Sequence, residues 1–250
     1  PFARLRNLGN TVDGRDLDLV VVGDDQPGRA PIWIIARQHP GETMAEWFVE
    51  GLLERLLDGA DPVARRLREQ ALLYIVPNMN PDGAVRGNLR TNAAGRNLNR
   101  EWRAPDPLAS PEVFLVRAEM ERTGCALFLD IHGDETLPYV FFSTAEEVPG
   151  FTAAAAAAQA RFIETFLAVS PDFQTEEGYK PGRFGEELLT LASKWVANHF
   201  GCVSLTLEMP FKDNAILPDE QVGWDGARSK RLGAAMLNPI LRHLREGGEG

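Results

Sequence analysis

Apolar runs alternate with amphipathic stretches along this chain, and the alternation predicts most of its elements. "DLDLVVVG" (16–23) and "APIWIIARQ" (30–38) read as strands, the second with the unbroken apolar centre of a strand covered on both faces. In "ETMAEWFVEGLLERLLDG" (42–59), Trp47, Phe48, Leu52, Leu56 and Leu57 recur at helical spacing, and Gly59 can end the helix. "DPVARRLREQ" reads as a short polar helix, and "ALLYIVPNMNPDG" (71–83) as a strand running into a Pro/Asn/Gly loop. In that loop Asp82 is expected to orient a neighbour and not to touch a ligand.

The second half continues the pattern. "SPEVFLVRAEMERTG" is a helix capped by Ser110, with Pro111 in its first turn, and "CALFLDIHGDE" is a buried strand. The alanine-rich "TAAAAAAQARFIETFLA" is a strong helix former. "EELLTLASKWVANHFG" reads as one helix leading into the strand "CVSLTLEMP", and "ARSKRLGAAMLNPILRHLRE" as a closing helix. This order implies an α/β fold, a mostly parallel mixed sheet with helices on both faces, built as a single domain over residues 1–250. No internal repeat and no long linker divides it.

Composition narrows the class. With 250 residues, 44% hydrophobic and 25% charged, the chain reads as one soluble globular unit. A net charge of −10 opposes nucleic-acid binding, which needs a basic face. No run approaches the ~20 apolar residues of a membrane span, and no signal-peptide pattern opens the chain, although it begins with Pro1 and not Met. Cys125 and Cys202 each sit in an apolar stretch, which suggests buried, reduced thiols and a cytoplasmic protein.

The candidate chemistry lies at strand ends. In open parallel sheets ligands collect beyond the carboxyl ends of the strands. His39 follows "IWIIARQ", His132 follows "LFLDI" and Glu208 follows "CVSLTL", so three ligands or proton carriers land on one edge. Alone, His39 would be a buried, hydrogen-bonded histidine, and Glu42 a first-turn acid facing the helix dipole. Their coincidence with a second strand-end histidine followed by "GDE" favours a metal site. A set of two histidines and one carboxylate leaves one zinc position open, as catalytic sites require. His199, near a helix end, and His243, on the closing helix, are not expected to join it. Five arginines (86, 90, 96, 100 and 103) crowd a short segment, and in an acidic chain such a cluster answers an anionic ligand.

Four blocks carry a resemblance: "HPGE", "NMNPDGAVRGNLRTNAAGRNLNREW", "DIHGD" and "LTLEMPFKDN", spanning residues 39 to 214 in that order. Together they resemble the zinc metallocarboxypeptidases, most closely the cytosolic carboxypeptidase branch and its bacterial relatives. The resemblance implies one Zn²⁺ per chain held by His39, Glu42 and His132, with Glu208 as general base. It places the grip on a substrate's terminal carboxylate at Asn99 and Arg100. Polarisation of the scissile carbonyl falls to Arg90, with Arg86 the lesser candidate. Tyr179 is the nearby candidate for the family's covering tyrosine. Asn97 stands where the family usually has aspartate. That branch carries a β-sandwich domain ahead of its catalytic part, so the resemblance implies such a domain before residue 1.

The implied activity is removal of C-terminal residues from peptides or proteins, with acidic (Glu/Asp) termini favoured by the arginine cluster and by Lys212 beyond Glu208. Two other readings stay open: a zinc amidohydrolase of N-acyl amino acids, like aspartoacylase or succinylglutamate desuccinylase, and a peptide-binding module without turnover. The oligomeric state is not legible.

Overall fold

The computed structural model describes residues 2–180 and 182–247; Pro1 and residues 248–250, the ends of the expected 1–250 domain, lie outside them. The strands are β1 (Ala3–Asn10), β2 (Asp16–Val22), β3 (Ala30–Ala36), β4 (Ala71–Val76), β5 (Leu127–Ile131), β6 (Phe141–Ser143) and β7 (Val203–Glu208). They form one sheet in the order β1-β2-β4-β3-β5-β7-β6. The central four, β4, β3, β5 and β7, run parallel, while β1, β2 and β6 pair antiparallel at the two sides.

The helices are α1 (Thr43–Leu56), α2 (Pro62–Gln70), α3 (Pro81–Arg86), α4 (Pro111–Thr123), α5 (Ala153–Val169), α6 (Ala192–Phe200), α7 (Gly226–Ala235) and α8 (Leu237–Gly247). They cover both faces of the sheet, as the apolar centre of β3 requires. Ile32, Ile34 and Ala36 pack with Phe48 and Leu52 of α1, Phe162 of α5 and Ile240 of α8. Trp33 and Ile35 point the other way, towards Val113 and Met120 of α4 and Trp195 of α6. The two-residue period of the strand makes this division. On the first face α1 and α7 meet backbone to backbone. A β-carbon at Gly51 would strike the Lys230 carbonyl, and one at Gly233 the Phe48 carbonyl, so only glycine fits either position.

Five readings of the sequence shift. The edge strands β1 and β6 are not legible in the sequence: none of the residues of β1 is buried, and β6 is three residues long. The stretch 186–201 is not one helix, because Leu191 is extended and divides a single 3₁₀ turn from α6. The closing helix breaks into α7 and α8 around Met236. "NPDG" is not a loop but the start of α3, with Asn80 accepting from the Gly83 amide, Pro81 in the first turn and left-handed Gly87 at its end. Ser110 precedes α4 without capping it; its hydroxyl accepts from the Asp106 amide and donates to Glu101.

Candidate active site

Three strand ends deliver the site. At the end of β3, Arg37 adopts a left-handed φ of 57°, unusual for a residue with a side chain, and turns the chain so that His39 faces back over the sheet edge. Its guanidinium holds the turn by donating to the Pro40 carbonyl at 3.0 Å and by pairing with Glu46. The chain then enters α1, which places Glu42 immediately before the first helical residue. His132 follows β5, and the β5–β7 ladder runs on past it: His132 N–H donates to the Leu207 carbonyl and Met209 N–H to the His132 carbonyl. Glu208 is the last residue of β7.

These residues converge. His39 Nδ1 lies 2.6 Å from Glu42 Oε1, and His132 Nδ1 lies 2.7 Å from Glu42 Oε2. The imidazole planes are tilted by 57° with centroids 4.8 Å apart, and all three side chains are buried. Their donor atoms sit within 4.8 Å of one another, the one such group among the described residues. Two neutral imidazole nitrogens and a carboxylate suit zinc and leave a coordination position for a ligand, so the residues fit that ion.

The far nitrogens are held as well. His39 Nε2 is 3.0 Å from Asn97 Oδ1, and His132 Nε2 is 2.9 Å from Asp130 Oδ1. Gln38 donates to Asp130 Oδ2 at 2.8 Å, while the Trp102 indole donates to Gln38 Oε1 at 2.8 Å. Such outer partners fix which nitrogen faces the metal and raise its basicity. Sequence reasoning alone does not single out Asp130, Gln38 and Trp102. The spacing was there: Asp130 and His132 are two apart at a strand end, the separation that puts both on one face. Asn97, in place of the family's aspartate, accepts as an aspartate would but without its charge.

Charge follows geometry. Burial pushes His39 below the ordinary histidine value, and the nearby His132 adds to the effect against the pull of Glu42. Burial opposes the charge on His132 too, but the Asp130 and Glu42 carboxylates hold its pKa well above the usual value. Burial also works against an ionised Glu42, yet the two imidazoles bring it down to about 2. A proton on His132 thus occupies, electrostatically, the place a bound cation would take. Burial pushes the Glu208 carboxyl up to about 8, against the positive His132 and with help from Glu42, Asp134 and Asp130. A cation on the triad would draw it back down.

A cavity of about 540 Å³ opens onto these groups. Arg90, Asn99, Arg100, Tyr179, Ser193, Lys194 and Thr206 line it beside His39, Glu42, His132 and Glu208. Asn99 Oδ1 accepts from the Ala192 amide at 2.8 Å, which leaves its amide hydrogens as the donors for a ligand. Arg90 has no hydrogen-bond or ion-pair partner among the described residues, and its charge bears on both His39 and Arg100. Desolvation and Arg90 together lower the Arg100 pKa, so the pair favours a bound anion.

Two expected residues lie elsewhere. Arg86 forms a two-pronged pair with Asp13, at 2.8 and 2.6 Å, and Lys212 is exposed outside the cavity walls. Asp82, as expected, orients a neighbour: it accepts from Thr11 Oγ1, the Asp13 amide and Arg15, pinning the turn after β1. His199 stacks on Trp195, and His243 lies near Phe162; neither approaches the triad.

A model of the family described as zinc carboxypeptidase matches residues 1–226. The chain belongs to that family. Among solved structures, a metallo-carboxypeptidase from Burkholderia cenocepacia superposes with a TM-score of 0.96 at 57% identity, over 98% of this chain and 66% of that one. An uncharacterized protein of Zymomonas mobilis is 49% identical over 230 residues, 92% of this chain and 60% of that protein. Cytosolic carboxypeptidase 1 of Mus musculus is 36% identical over 118 residues, 45% of this chain and 10% of that protein. The chain therefore spans less than two thirds of the curated relatives it matches. Among the described residues no helix is long and apolar enough to cross a membrane.

The loop that carries Arg90, Asn99 and Arg100 rests on Asn92, whose Oδ1 accepts from the Ala94 and Arg96 amides and whose Nδ2 donates to Glu112 at 3.1 Å. Glu112 is buried, its other oxygen is unpartnered, and burial pushes its pKa up to about 7. A carboxyl raised in the folded state stabilises below its unfolded value, near 4.5, and that stability is lost as pH rises towards 7. At ~1.4 kcal/mol per unit, folding loses on the order of 3 kcal/mol across that window from this group. Glu112→Gln should flatten this part of the stability–pH profile and be the more stable form above neutrality in denaturant titrations. Parallel profiles for the two proteins would refute the assignment.

Proposed function

We propose that the protein is a zinc-dependent carboxypeptidase that hydrolyses C-terminal residues from peptides or proteins, with a preference for acidic ones. The observation that carries the reading is one cavity holding three kinds of group together: a metal triad, a separate buried carboxylate and an Asn–Arg pair. Zinc, when bound by His39, Glu42 and His132, supplies Lewis acidity and a nucleophile at neutral pH. Glu208 takes the proton from attacking water and delivers it to the leaving amine. Arg90 faces the negative charge that develops on the scissile carbonyl oxygen. Arg100 grips the terminal carboxylate with its planar fork, and Asn99 adds amide donors that tell a chain end from a continuing chain. A cytoplasmic setting belongs to the same reading, supported by the curated relatives called cytosolic carboxypeptidases.

The acidic preference rests on Lys194 in place of Lys212. Thr206 precedes Glu208 by two on β7 and so shares its face, and its hydroxyl lies 2.7 Å from Ser193 Oγ. Lys194, the next residue of α6, is buried against the cavity, donates to the Thr144 carbonyl and pairs with Glu147 Oε1 at 2.6 Å. A terminal side chain entering here meets hydroxyls and one ammonium. A substrate carboxylate competes with Glu147 for that ammonium, and a charge-assisted bond of this kind corresponds to roughly tenfold in kcat/KM.

Peptides identical except at the last residue test this: Glu or Asp should exceed Leu, Phe and Lys by about tenfold. Lys194→Met should shrink that ratio to about twofold. A preference for Phe, Leu, Lys or Arg would overturn the specificity. Hydrolysis of N-acyl-aspartate or N-acyl-glutamate without peptide cleavage would replace the reading with an amidohydrolase.

A further inference from the structure

The fifth residue of "DIHGDE", Asp134, takes no step in the chemistry above, yet it is among the most firmly held side chains in the cavity wall. Asp134 follows the metal-binding histidine by two, and its backbone continues the β5 ladder: its amide donates to the Met209 carbonyl, and the residue bridges to Pro210. Oδ1 of its carboxylate accepts from the Thr136 and Leu137 amides at 2.7 and 2.6 Å. That fixes the plane of the group and leaves Oδ2 for one partner. The partner is the Tyr179 hydroxyl, which donates to Oδ2 at 2.5 Å and lies 3.3 Å from Glu208 Oε1.

Tyr179 is presented by a segment with its own framework. Gln174 Oε1 accepts from the Glu176 and Glu177 amides, and its Nε2 donates to the Glu177 carbonyl. The Tyr179 ring stands edge-on against Phe141 at 5.0 Å, and Gly178 lies so close to Phe141 that a β-carbon there would strike its ring. Even so, half of Tyr179 is exposed, and a ring held by one edge contact can rotate away. The strongest tie to the cavity is the hydroxyl. A phenol has one proton to donate, and an ionised carboxylate with two backbone amides on its other oxygen is a better acceptor than a neutral group.

We propose that Asp134 is the anchor of the covering tyrosine, holding the Tyr179 hydroxyl beside Glu208 before a substrate arrives. It is a positioning residue: it touches neither the metal donors nor the carboxylate grip, and acts through Tyr179. The anchored ring reduces the cavity's open side, and the ordering of that side chain is completed in the free protein, which lowers the cost of binding. Such a contribution is uniform between ground and transition states, so it appears in KM and not in kcat. The kinetic part of this inference rests on the carboxypeptidase reading; the anchoring itself does not.

Asp134→Asn is the informative variant, because its Oδ1 can still accept from the Thr136 and Leu137 amides while the acceptor for Tyr179 is replaced by a donor. The first measurement is O-acetylation of the full chain by N-acetylimidazole, mapped by mass spectrometry with Tyr139 as internal reference. Tyr179 should label at least fivefold faster in Asp134→Asn than in the parent, with zinc content and melting temperature unchanged. Equal labelling rates overturn the anchor whatever the protein hydrolyses. The second is a double-mutant cycle on peptide cleavage with Tyr179→Phe. Asp134→Asn should raise KM about five- to tenfold with kcat within twofold, and should change KM less than twofold once Tyr179 is phenylalanine. The same rise in both backgrounds would show that Asp134 does not act through the tyrosine.

Discussion

Glu208→Gln is expected to lower kcat on peptide substrates by at least ~10²-fold while zinc content and fold stay intact. Glutamine keeps the size of the side chain and removes only the ability to take up and return a proton. Glu208 lies outside the group of three whose donors converge on one point, so its loss should leave the metal in place. It ends β7 opposite Phe141 of β6, which holds its backbone in the ladder, so the amide should adopt the same position. Burial, which raises its pKa to about 8, also prescribes the pH dependence. The base works only when ionised, so activity should rise with pH through its pKa. A cation on the triad moves that midpoint below 8. Wild-type-like turnover in Glu208→Gln would falsify the role; loss of zinc would make Glu208 a ligand.

Removing a triad histidine acts on metal and fold together. Elemental analysis of His39→Ala or His132→Ala should show the zinc largely gone, whereas His199→Ala and His243→Ala should retain it. Asp130→Asn should keep the metal but weaken its binding by about 10–100-fold, the usual effect of losing an outer partner. His132→Ala carries a second cost. In the metal-free protein it leaves Glu42 and Asp130 buried without the positive group that balances them. Breaking a buried pair in this way removes about 3–5 kcal/mol. Denaturant unfolding of the metal-free forms should therefore place His132→Ala well below the parent. It should fall further than His39→Ala, because His39 is the histidine held below its ordinary pKa and less charged in the fold. Full zinc occupancy in both alanine variants would sink the triad.

Much of the site was legible because of how parallel strands work. A continuous apolar run predicts a strand covered on both faces, and parallel neighbours finish at the same edge of the sheet. His39, His132 and Glu208 therefore had to meet at one edge before any contact was known, and helical periodicity put Glu42 at the head of α1. Local rules extend only as far as the chain neighbours they describe. They do not show the edge strand β1, none of whose residues is buried, or the three-residue β6, whose pairing is settled by the strands beside them. Nor did they show that Leu191 divides a helix whose two halves look continuous in sequence.

Charged side chains are where the tertiary structure decided most. Apart from the roles that the resemblance gives Arg90, Arg86 and Arg100, nothing in the sequence tells the five arginines and Lys212 apart, since proximity to a motif is all that a flexible charged side chain offers in advance. Arg86 is taken by Asp13, 73 residues away, and Lys212 faces outward, while Arg90 and Arg100 line the cavity. Lys194, from a helix with no motif, is brought to the same wall because α6 packs beside β7 and its residue Ser193 meets Thr206. Asp130, Gln38 and Trp102 form a buried chain of hydrogen bonds drawn from three segments. A hydrogen bond depends on atoms within about 3 Å, and segments far apart in sequence reach that distance only through the packing of the whole sheet. Backbone periodicity determined which edge carries the metal donors; the folded packing alone decided which charges and second partners surround them.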